Sequence, residues 1–215
     1  MIKEKIVFCW SGGKDSALAL NRVLRDERYE VVSLLTTCNE HFQRVSMHGV
    51  RVELLDRQAA SIGLPLEKNF VGQRSSNEEY QQKMSACLLA HQARGVIGCA
   101  FGDIFLEDLK RWREDNLASI GMRGVFPIWK EDTHELMREF FRLGFGTITS
   151  AVSTTPIWTK PPWDGTLTKN SSARCRQTWT RAARTASFIP SPLRDRFSRS
   201  RSTSKWEKKC IDRSR

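Results

Sequence analysis

The sequence has no hydrophobic run of the length that crosses a bilayer, which takes about 20 apolar residues. Its opening, Met1–Lys5, is charged, and the apolar run Ile6–Trp10 that follows is too short for the hydrophobic region of a secretory signal. We therefore expect no membrane association and no signal peptide at this end of the sequence.

Paired cysteines of the C-x-x-C type are also absent. The chain has six cysteines, at positions 9, 38, 87, 99, 175 and 210. Because zinc, iron–sulfur and thiol-redox sites usually reveal themselves by such pairs, the sequence predicts none of these sites.

The first 153 residues lack a net charge, although the whole chain carries +11. Residues 154–215 hold 15 Lys/Arg and 4 Asp/Glu, whereas residues 1–153 hold 20 of each sign. A strongly basic domain is typical of nucleic-acid binding. Because the excess is confined to the C-terminal tail, we do not expect a nucleic-acid partner for the body.

The most informative stretch is Ser11-Gly12-Gly13-Lys14-Asp15-Ser16, between an apolar strand pattern and a helical pattern. Two glycines allow a sharp turn and a close approach to an anion, and the N–H groups and dipole of the helix start favour negative charge. Hydroxyl donors and a lysine add to this preference, and Asp15 could cap the helix or hold Mg²⁺. The loop does not fit G-x-x-x-x-G-K-[ST], the pattern of kinases and GTPases.

Residues 1–153 read as alternating strands and helices, which predicts an α/β fold with a parallel sheet and right-handed crossovers. The expected strands are Ile6–Trp10, Glu30–Thr37, Leu66–Val71, Gly95–Phe101 and Phe145–Val152, with a short extended piece at Gly124–Trp129. The expected helices start near Lys14, Val50, Asn77 (a potential cap), Leu106 and Thr133. Ligands of such folds lie at the carboxyl ends of the strands.

Two further polar groups follow predicted strands. His48 could orient a substrate or be an ordinary loop histidine, and the second reading is favoured from the sequence alone. Asp103 is equally compatible with a Mg²⁺ or substrate-amine ligand and with a cap of the next helix. The charged residues from Asp108 to Asp115, including Arg113, predict a solvated helix face.

The six-residue loop resembles that of the PP-loop ATP pyrophosphatases, and the ordered set of other segments resembles the diphthine–ammonia ligase family within the adenine nucleotide alpha-hydrolase-like (HUP) group. The resemblance covers residues 4 to about 155. Its segments are V-F-C-W-S-G-G-K-D-S, V-S-L-L-T-T, M-H-G-V-R, L-L-D-R-Q-A, G-L-P-L, F-G-D-I-F-L-E-D-L, G-V-F-P-I-W and L-G-F-G-T-I.

This resemblance implies ATP-dependent amidation of a carboxylate by ammonia through an acyl-adenylate, with AMP and pyrophosphate as products. In the best-known relatives the carboxylate belongs to diphthine on elongation factor two. ATP and Mg²⁺ would be required, and scattered thiols in such a fold indicate a reducing cytoplasm. Those relatives read G-A-I-x-S-x-Y-Q where this chain has G-D-I-F-L-E-D-L, so the acceptor here could be another carboxylate.

The resemblance also implies roles for individual residues. Phosphates would be held by Ser11, Gly12, Gly13, Lys14 and Ser16, and backbone groups near Leu35 and Thr36 would face adenine. Lys14, Asp15, Asp103 and His48 are the catalytic candidates, of which Asp15 and Asp103 are also candidate Mg²⁺ ligands. The alternatives are a PP-loop enzyme that modifies tRNA and a non-catalytic nucleotide-binding remnant.

The resemblance stops after Thr155, where the family would continue towards D-P-C-G-E-N-G-E-F-H-T-F. Back-translation of Arg176–Phe188, read one nucleotide earlier with suitable synonymous codons, gives P-A-D-V-D-P-C-G-E-N-G-E-F. We infer that residues 154–215 are a frameshifted translation, whereas residues 1–153 form an ATP-binding domain that lacks its C-terminal part. The tail itself has almost no apolar periodicity and is predicted to be irregular or disordered, and a genuine basic tail that contacts RNA is the less favoured alternative.

Overall fold

Strands and helices alternate along most of the chain, as the computed structural model shows for residues 2–45, 49–72, 76–151, 166–167 and 185–189. The strands of the first part are β1 (Glu4–Cys9), β2 (Tyr29–Asn39), β3 (Arg44–Val45), β4 (Leu66–Val71), β5 (Gly98–Ala100) and β6 (Arg123–Val125). The helices are α1 (Lys14–Arg25), α2 (Val52–Ile62), α3 (Asn77–Gln92), α4 (Glu107–Ser119) and α5 (Thr133–Arg142). The predicted α/β class is therefore confirmed.

Five strands pair in parallel in the order β4, β2, β1, β5, β6. The chain leaves β1 towards β2 on one side and returns to β5 on the other side, so the strand order reverses at β1. In open α/β sheets the ligand crevice lies at such a reversal, outside the carboxyl ends of the two strands. The segments that follow β1 and β5 therefore define the crevice.

Helices cover both faces of the sheet. On one face Ile6, Phe8 and Leu34 pack in a single apolar cluster with residues of α1, α2 and α5. On the other face Val7, Leu35 and Cys99 pack with residues of α3 and α4. This division follows from right-handed crossovers that run in opposite directions from β1.

One local prediction needs correction, and one short strand was not predicted. Ser76, not Asn77, caps α3, because its Oγ accepts a hydrogen bond from the N–H of Glu79 at 3.2 Å. The antiparallel strand β3 beside the end of β2 was not predicted, since two residues are too few for a strand pattern.

The strand predicted at Phe145–Val152 exists as β7 (Gly146–Ala151), but it is not part of the parallel sheet. It forms a separate antiparallel sheet with β8 (Thr166–Leu167) and β9 (Thr185–Ile189), both from the basic tail. These two strands are the part of the tail that the structure describes, and the rest of the predicted irregular tail lies outside the described residues. The boundary at residue 153 and the frameshift remain predictions.

Candidate functional site

The turn between β1 and α1 requires glycine at position 12. Gly12 has φ +74°, and a Cβ atom built there would lie 2.9 Å from both Gln58 Oε1 and Leu55 Cδ2. A side chain at this position would therefore meet a left-handed backbone and a steric clash together. The backbone of the loop is thereby pressed against α2, and the chain turns directly into α1.

The start of α1 is arranged to receive an anion. Gly13 is the N-cap and has no side chain to satisfy the first N–H groups, which have no partners inside the helix. Ser16 Oγ accepts from the N–H of Ser11 at 3.3 Å, and Ser11 Oγ accepts from the N–H of Gly13 at 3.4 Å. The N–H groups and the helix dipole at this end favour a phosphate.

Gln58 fixes the loop from the side of α2. It is fully buried, its Oε1 accepts from Trp10 Nε1 at 3.2 Å, and its Nε2 donates to the carbonyl of Gly12 at 3.3 Å. The sequence analysis assigned it no role, although it lies in the L-L-D-R-Q-A segment. A buried glutamine on an otherwise apolar helix face was the available signal, because a buried amide needs hydrogen-bond partners.

Lys14 and Asp15 form an ion pair, with Lys14 Nζ 2.5 Å from Asp15 Oδ1. Both residues line a pocket together with Leu18, Ile104 and the first turns of α5. The pair is partly exposed, so it adds little to stability. The ammonium group is thus already near the helix start, where a phosphate would compete with the carboxylate for it.

The loop after β5 closes the crevice against the first turn of α1. A Cβ atom at Gly102 would lie 2.9 Å from both the N and the Cα of Ser16. Only glycine allows this backbone approach, and it brings the segment Gly102–Ile104 beside the phosphate loop. The two segments that the topology selects are therefore in direct contact.

Asp103 is paired with Arg113 on α4, with Oδ2 and Nε 2.8 Å apart. Burial raises the pKa of Asp103 above its ordinary value, whereas the neighbouring guanidinium lowers it. Asp103 does not cap α4, which begins four residues later at Glu107. The capping alternative was therefore wrong.

Arg113 was predicted on a solvated face, and this is also wrong. Its side chain is 18% exposed and its guanidinium lies over the ring of Phe101, 4.2 Å from the ring centre. Spacing along a polar helix could not reveal that one of its arginines turns towards a buried carboxylate from another loop.

Leu35 and Thr36, on β2, connect this strand to Trp10, the residue that precedes the loop. The carbonyl of Leu35 accepts from the N–H of Trp10 at 2.8 Å, and Thr36 Oγ1 donates to the carbonyl of Trp10. Both residues are buried. They lie beside the predicted nucleotide loop, and their role in facing adenine remains a prediction.

Two cysteines meet beneath the loop, although they are far apart in the sequence. Cys9 Sγ and Cys99 Sγ lie 3.3 Å apart across β1 and β5. Burial raises the pKa of Cys99 well above its ordinary value, so this thiol keeps its proton. A search for C-x-x-C spacing does not detect a pair that the sheet creates.

The remaining catalytic candidate, His48, lies outside the described residues. Among the residues that are described, no helix combines the length and the apolar character that crossing a membrane requires.

Comparison with known proteins gives a family match and similarities to solved structures. The profile of the diphthamide synthase N-terminal domain matches residues 4–124. No curated protein matches the sequence. The fold is similar to the crystal structure of a predicted subunit of tRNA methyltransferase from Methanocaldococcus jannaschii, with a TM-score of 0.43 and 14% identity, over 67% of this chain and 77% of that chain.

The family match spans more than half of the 215 residues and contains both segments that line the crevice, the phosphate loop after β1 and Gly102–Ile104 after β5. The chain therefore belongs to the diphthamide synthase family, as its sequence segments predicted, and carries the nucleotide-binding PP-loop domain of that family.

Proposed function

We propose that the intact gene product amidates a carboxylate with ammonia at the expense of ATP, which is cleaved to AMP and pyrophosphate. The observation that carries the proposal is the loop Ser11–Ser16, held by Gln58 at the uncapped start of α1. Its glycine turn leads directly into the helix start, whose N–H groups supply donors for a phosphate chain. The family match supports the use of a nucleotide.

The reaction would proceed in two balanced steps. A carboxylate oxygen of the acceptor attacks the α-phosphorus of ATP, the bond to the β-phosphate oxygen breaks, and pyrophosphate leaves with that electron pair. Ammonia then attacks the carbonyl carbon of the acyl-adenylate. The carbon–oxygen bond to AMP breaks, and a proton from nitrogen passes to solvent. The protein contributes mainly by positioning and by stabilising charge on the leaving pyrophosphate.

The residues of the loop would act on the leaving group. N–H groups of the α1 start and the hydroxyls of Ser11 and Ser16 would hold the β- and γ-phosphates, and Lys14 would exchange its contact with Asp15 for a phosphate oxygen. A Mg²⁺ ion would neutralise phosphate charge, and the carboxylate of Asp15 fits a hard cation that prefers oxygen ligands. Asp103, already engaged by Arg113, fits this role less well.

The acceptor is proposed only as a class, a carboxylate. Diphthine on elongation factor two is the acceptor that the family resemblance implies, and it is the first substrate to test. Membrane and nucleic-acid partners are not proposed. The cytoplasm is the expected compartment.

We further propose that the chain with this 215-residue sequence binds ATP but has little ligase activity. The residues beyond about position 154 replace the family segment D-P-C-G-E-N-G-E-F-H, whose polar groups would complete the acceptor side. Residues 1–153 would form the nucleotide-binding domain and 154–215 a frameshifted tail.

The test compares the purified chain with a version whose reading frame is restored after Thr154. Both are incubated with ATP, Mg²⁺, ammonia and diphthine-containing elongation factor two, and pyrophosphate and amide are measured. The proposal expects ATP binding by both chains, and pyrophosphate and amide from the restored chain. Release of orthophosphate instead of pyrophosphate, or no ATP binding by either chain, would contradict it.

A further inference from the structure

Glu67, Cys87 and His91 form a cluster that the nucleotide chemistry does not use. Their ligand atoms all lie within 4.8 Å of one another, with His91 Nε2 3.0 Å from Glu67 Oε1 and Cys87 Sγ 3.8 Å from Glu67 Oε2. Glu67 comes from β4, and the other two lie one turn apart on α3. The cluster shares no residue with the phosphate loop.

The separations are close to those of a metal centre. Tetrahedral zinc, with bonds of about 2.0–2.3 Å to nitrogen, oxygen and sulfur, places its ligand atoms about 3.3–3.6 Å apart. Small side-chain rotations would therefore bring the three atoms around one ion. Their chemistry is also selective, because thiolate and imidazole suit Zn²⁺ and not the hard ions Mg²⁺ or Ca²⁺.

The buried imidazole gives independent support. The His91 side chain is 95% buried, and its Nε2 has no hydrogen bond of acceptable geometry despite the nearby carboxylate. A buried imidazole that contacts a carboxylate without forming a hydrogen bond leaves its polar nitrogen poorly satisfied. A metal ion between Nε2 and the carboxylate would be bound by both groups and satisfy them together.

The position of α3 against β4 indicates what a metal ion at this cluster would do. This helix has 16 residues, of which Leu88 and His91 are buried, and Met84 and Cys87 are partly buried against the apolar cluster on this face of the sheet. Its side-chain contacts with β4 include a hydrogen bond from Lys83 Nζ to the carbonyl of Phe70 at 2.9 Å. A metal ion bridging β4 and α3 would add a direct link between the two elements to this packing.

We propose that Glu67, Cys87 and His91 bind a zinc ion that anchors α3 to β4. Water takes the fourth position on the side of Glu67, whose side chain is 40% exposed. Binding replaces the thiol proton of Cys87 by the metal and releases that proton to the buffer. The sequence did not indicate this cluster, because Glu67 lies on β4, whereas Cys87 and His91 lie on α3.

The test is a titration of the metal-free full-length chain with Co²⁺, a spectroscopic substitute for Zn²⁺. One equivalent of Co²⁺ should give a thiolate-to-cobalt charge-transfer band that Zn²⁺ abolishes, and Zn²⁺ should raise the melting temperature by about 5 °C or more at saturating concentration. Cys87→Ala should lose the band, and its control Cys38→Ala, which removes a buried core thiol, should keep it. Glu67→Gln and His91→Gln should each weaken Zn²⁺ binding at least about tenfold.

A second measurement on the unaltered chain covers the case in which a variant fails to fold. Zn²⁺ should protect Cys87 from alkylation, as measured by mass spectrometry, and leave the alkylation of the partly exposed Cys9 unchanged. Equal alkylation of Cys87 with and without Zn²⁺, absence of the cobalt band in the unaltered chain, or its persistence in Cys87→Ala would each overturn the proposal. Persistence would place the metal on other thiols.

Discussion

Gln58 links Trp10 to the phosphate loop: it accepts a hydrogen bond from the indole Nε1 at 3.2 Å and donates one to the carbonyl of Gly12 at 3.3 Å. The side chain is fully buried between α2 and the loop. One amide therefore holds the last residue before the loop and the glycine within it. The loop is thereby shaped before any ligand arrives, which reduces the entropy that binding must offset.

The first prediction concerns this amide. Gln58→Leu removes the hydrogen bonds of Gln58 to the Trp10 indole and to the Gly12 carbonyl, which costs about 1–3 kcal/mol of unfolding free energy. ATP affinity should fall in addition, because the loop is no longer held. Urea unfolding and equilibrium ATP binding measure the two effects.

Gln92→Leu is the matched control. Gln92 Nε2 donates to the carbonyl of Ile120 at 2.5 Å, away from the loop. This variant should lose stability and keep its ATP affinity. An equal loss of affinity in both variants would show that Gln58 acts through general stability alone.

The second prediction concerns the buried pair of Asp103 and Arg113. Burial already raises the pKa of Asp103, and Arg113 opposes that effect. In Arg113→Leu the pKa of Asp103 should rise further. A carboxyl group whose pKa is higher in the folded than in the unfolded state favours folding while it is protonated. This stabilisation is complete at pH values below the pKa of the unfolded state, about 3.9 for Asp. It is lost as the pH rises through the pKa of the folded state.

Arg113→Leu should therefore lose unfolding free energy more steeply than the unaltered protein as pH rises through the weakly acidic range. The slope for one proton is at most about 1.4 kcal/mol per pH unit. Urea unfolding at several pH values measures it. The double variant Asp103→Asn/Arg113→Leu removes the titrating group, so its unfolding free energy should fall less steeply with pH than that of Arg113→Leu. Equal slopes in the single and double variants would contradict this assignment.

The third prediction distinguishes the observed cap of α3 from the predicted one. Ser76→Ala should cost about 1 kcal/mol of unfolding free energy, because it removes the acceptor for the N–H of Glu79. Asn77→Ala should change stability little, since Asn77 lies inside the first turn. Chemical denaturation measures the unfolding free energy of both variants. A larger loss of unfolding free energy in Asn77→Ala than in Ser76→Ala would contradict the observed cap.

Most of the fold was predictable because the apolar pattern and the turn residues agree locally. Leu66–Val71 was predicted with its correct bounds, and Gly63, with φ +82°, ends α2 as expected. The phosphate loop was predictable because Ser11–Ser16 is a continuous six-residue motif between a strand pattern and a helix pattern. Such features depend on residues that are close together in the sequence.

What could not be predicted depends on contacts between distant elements. Arg113 turns inward because a carboxylate from another loop lies there, and Cys9 meets Cys99 because β1 and β5 are neighbours. Gln58 was missed for the same reason. β7 pairs with strands of the tail, a pairing that the family resemblance could not suggest because it ends near residue 155.

The fourth prediction concerns the tail. The DNA from the codon for Phe145 to the stop should, when read in the shifted frame after about Thr154, encode D-P-C-G-E-N-G-E-F-H. Sequencing of that stretch checks it directly. Codons that do not give this segment would show that the basic tail is genuine, and its charge would then require a partner.

The most direct test of the central claim is ATP binding by Gly12→Ala and Gly63→Ala. Both glycines have positive φ, +74° and +82°, so each substitution imposes a similar backbone cost. A Cβ atom at Gly12 clashes with Gln58 and Leu55, whereas nothing lies within 4 Å of one at Gly63. ATP affinity is measured by equilibrium binding at a temperature where both variants are folded. If the loop binds the phosphates of ATP, Gly63→Ala retains the ATP affinity of the unaltered chain, whereas Gly12→Ala loses ATP affinity. Equal affinity of the two variants would contradict the assignment of the nucleotide site.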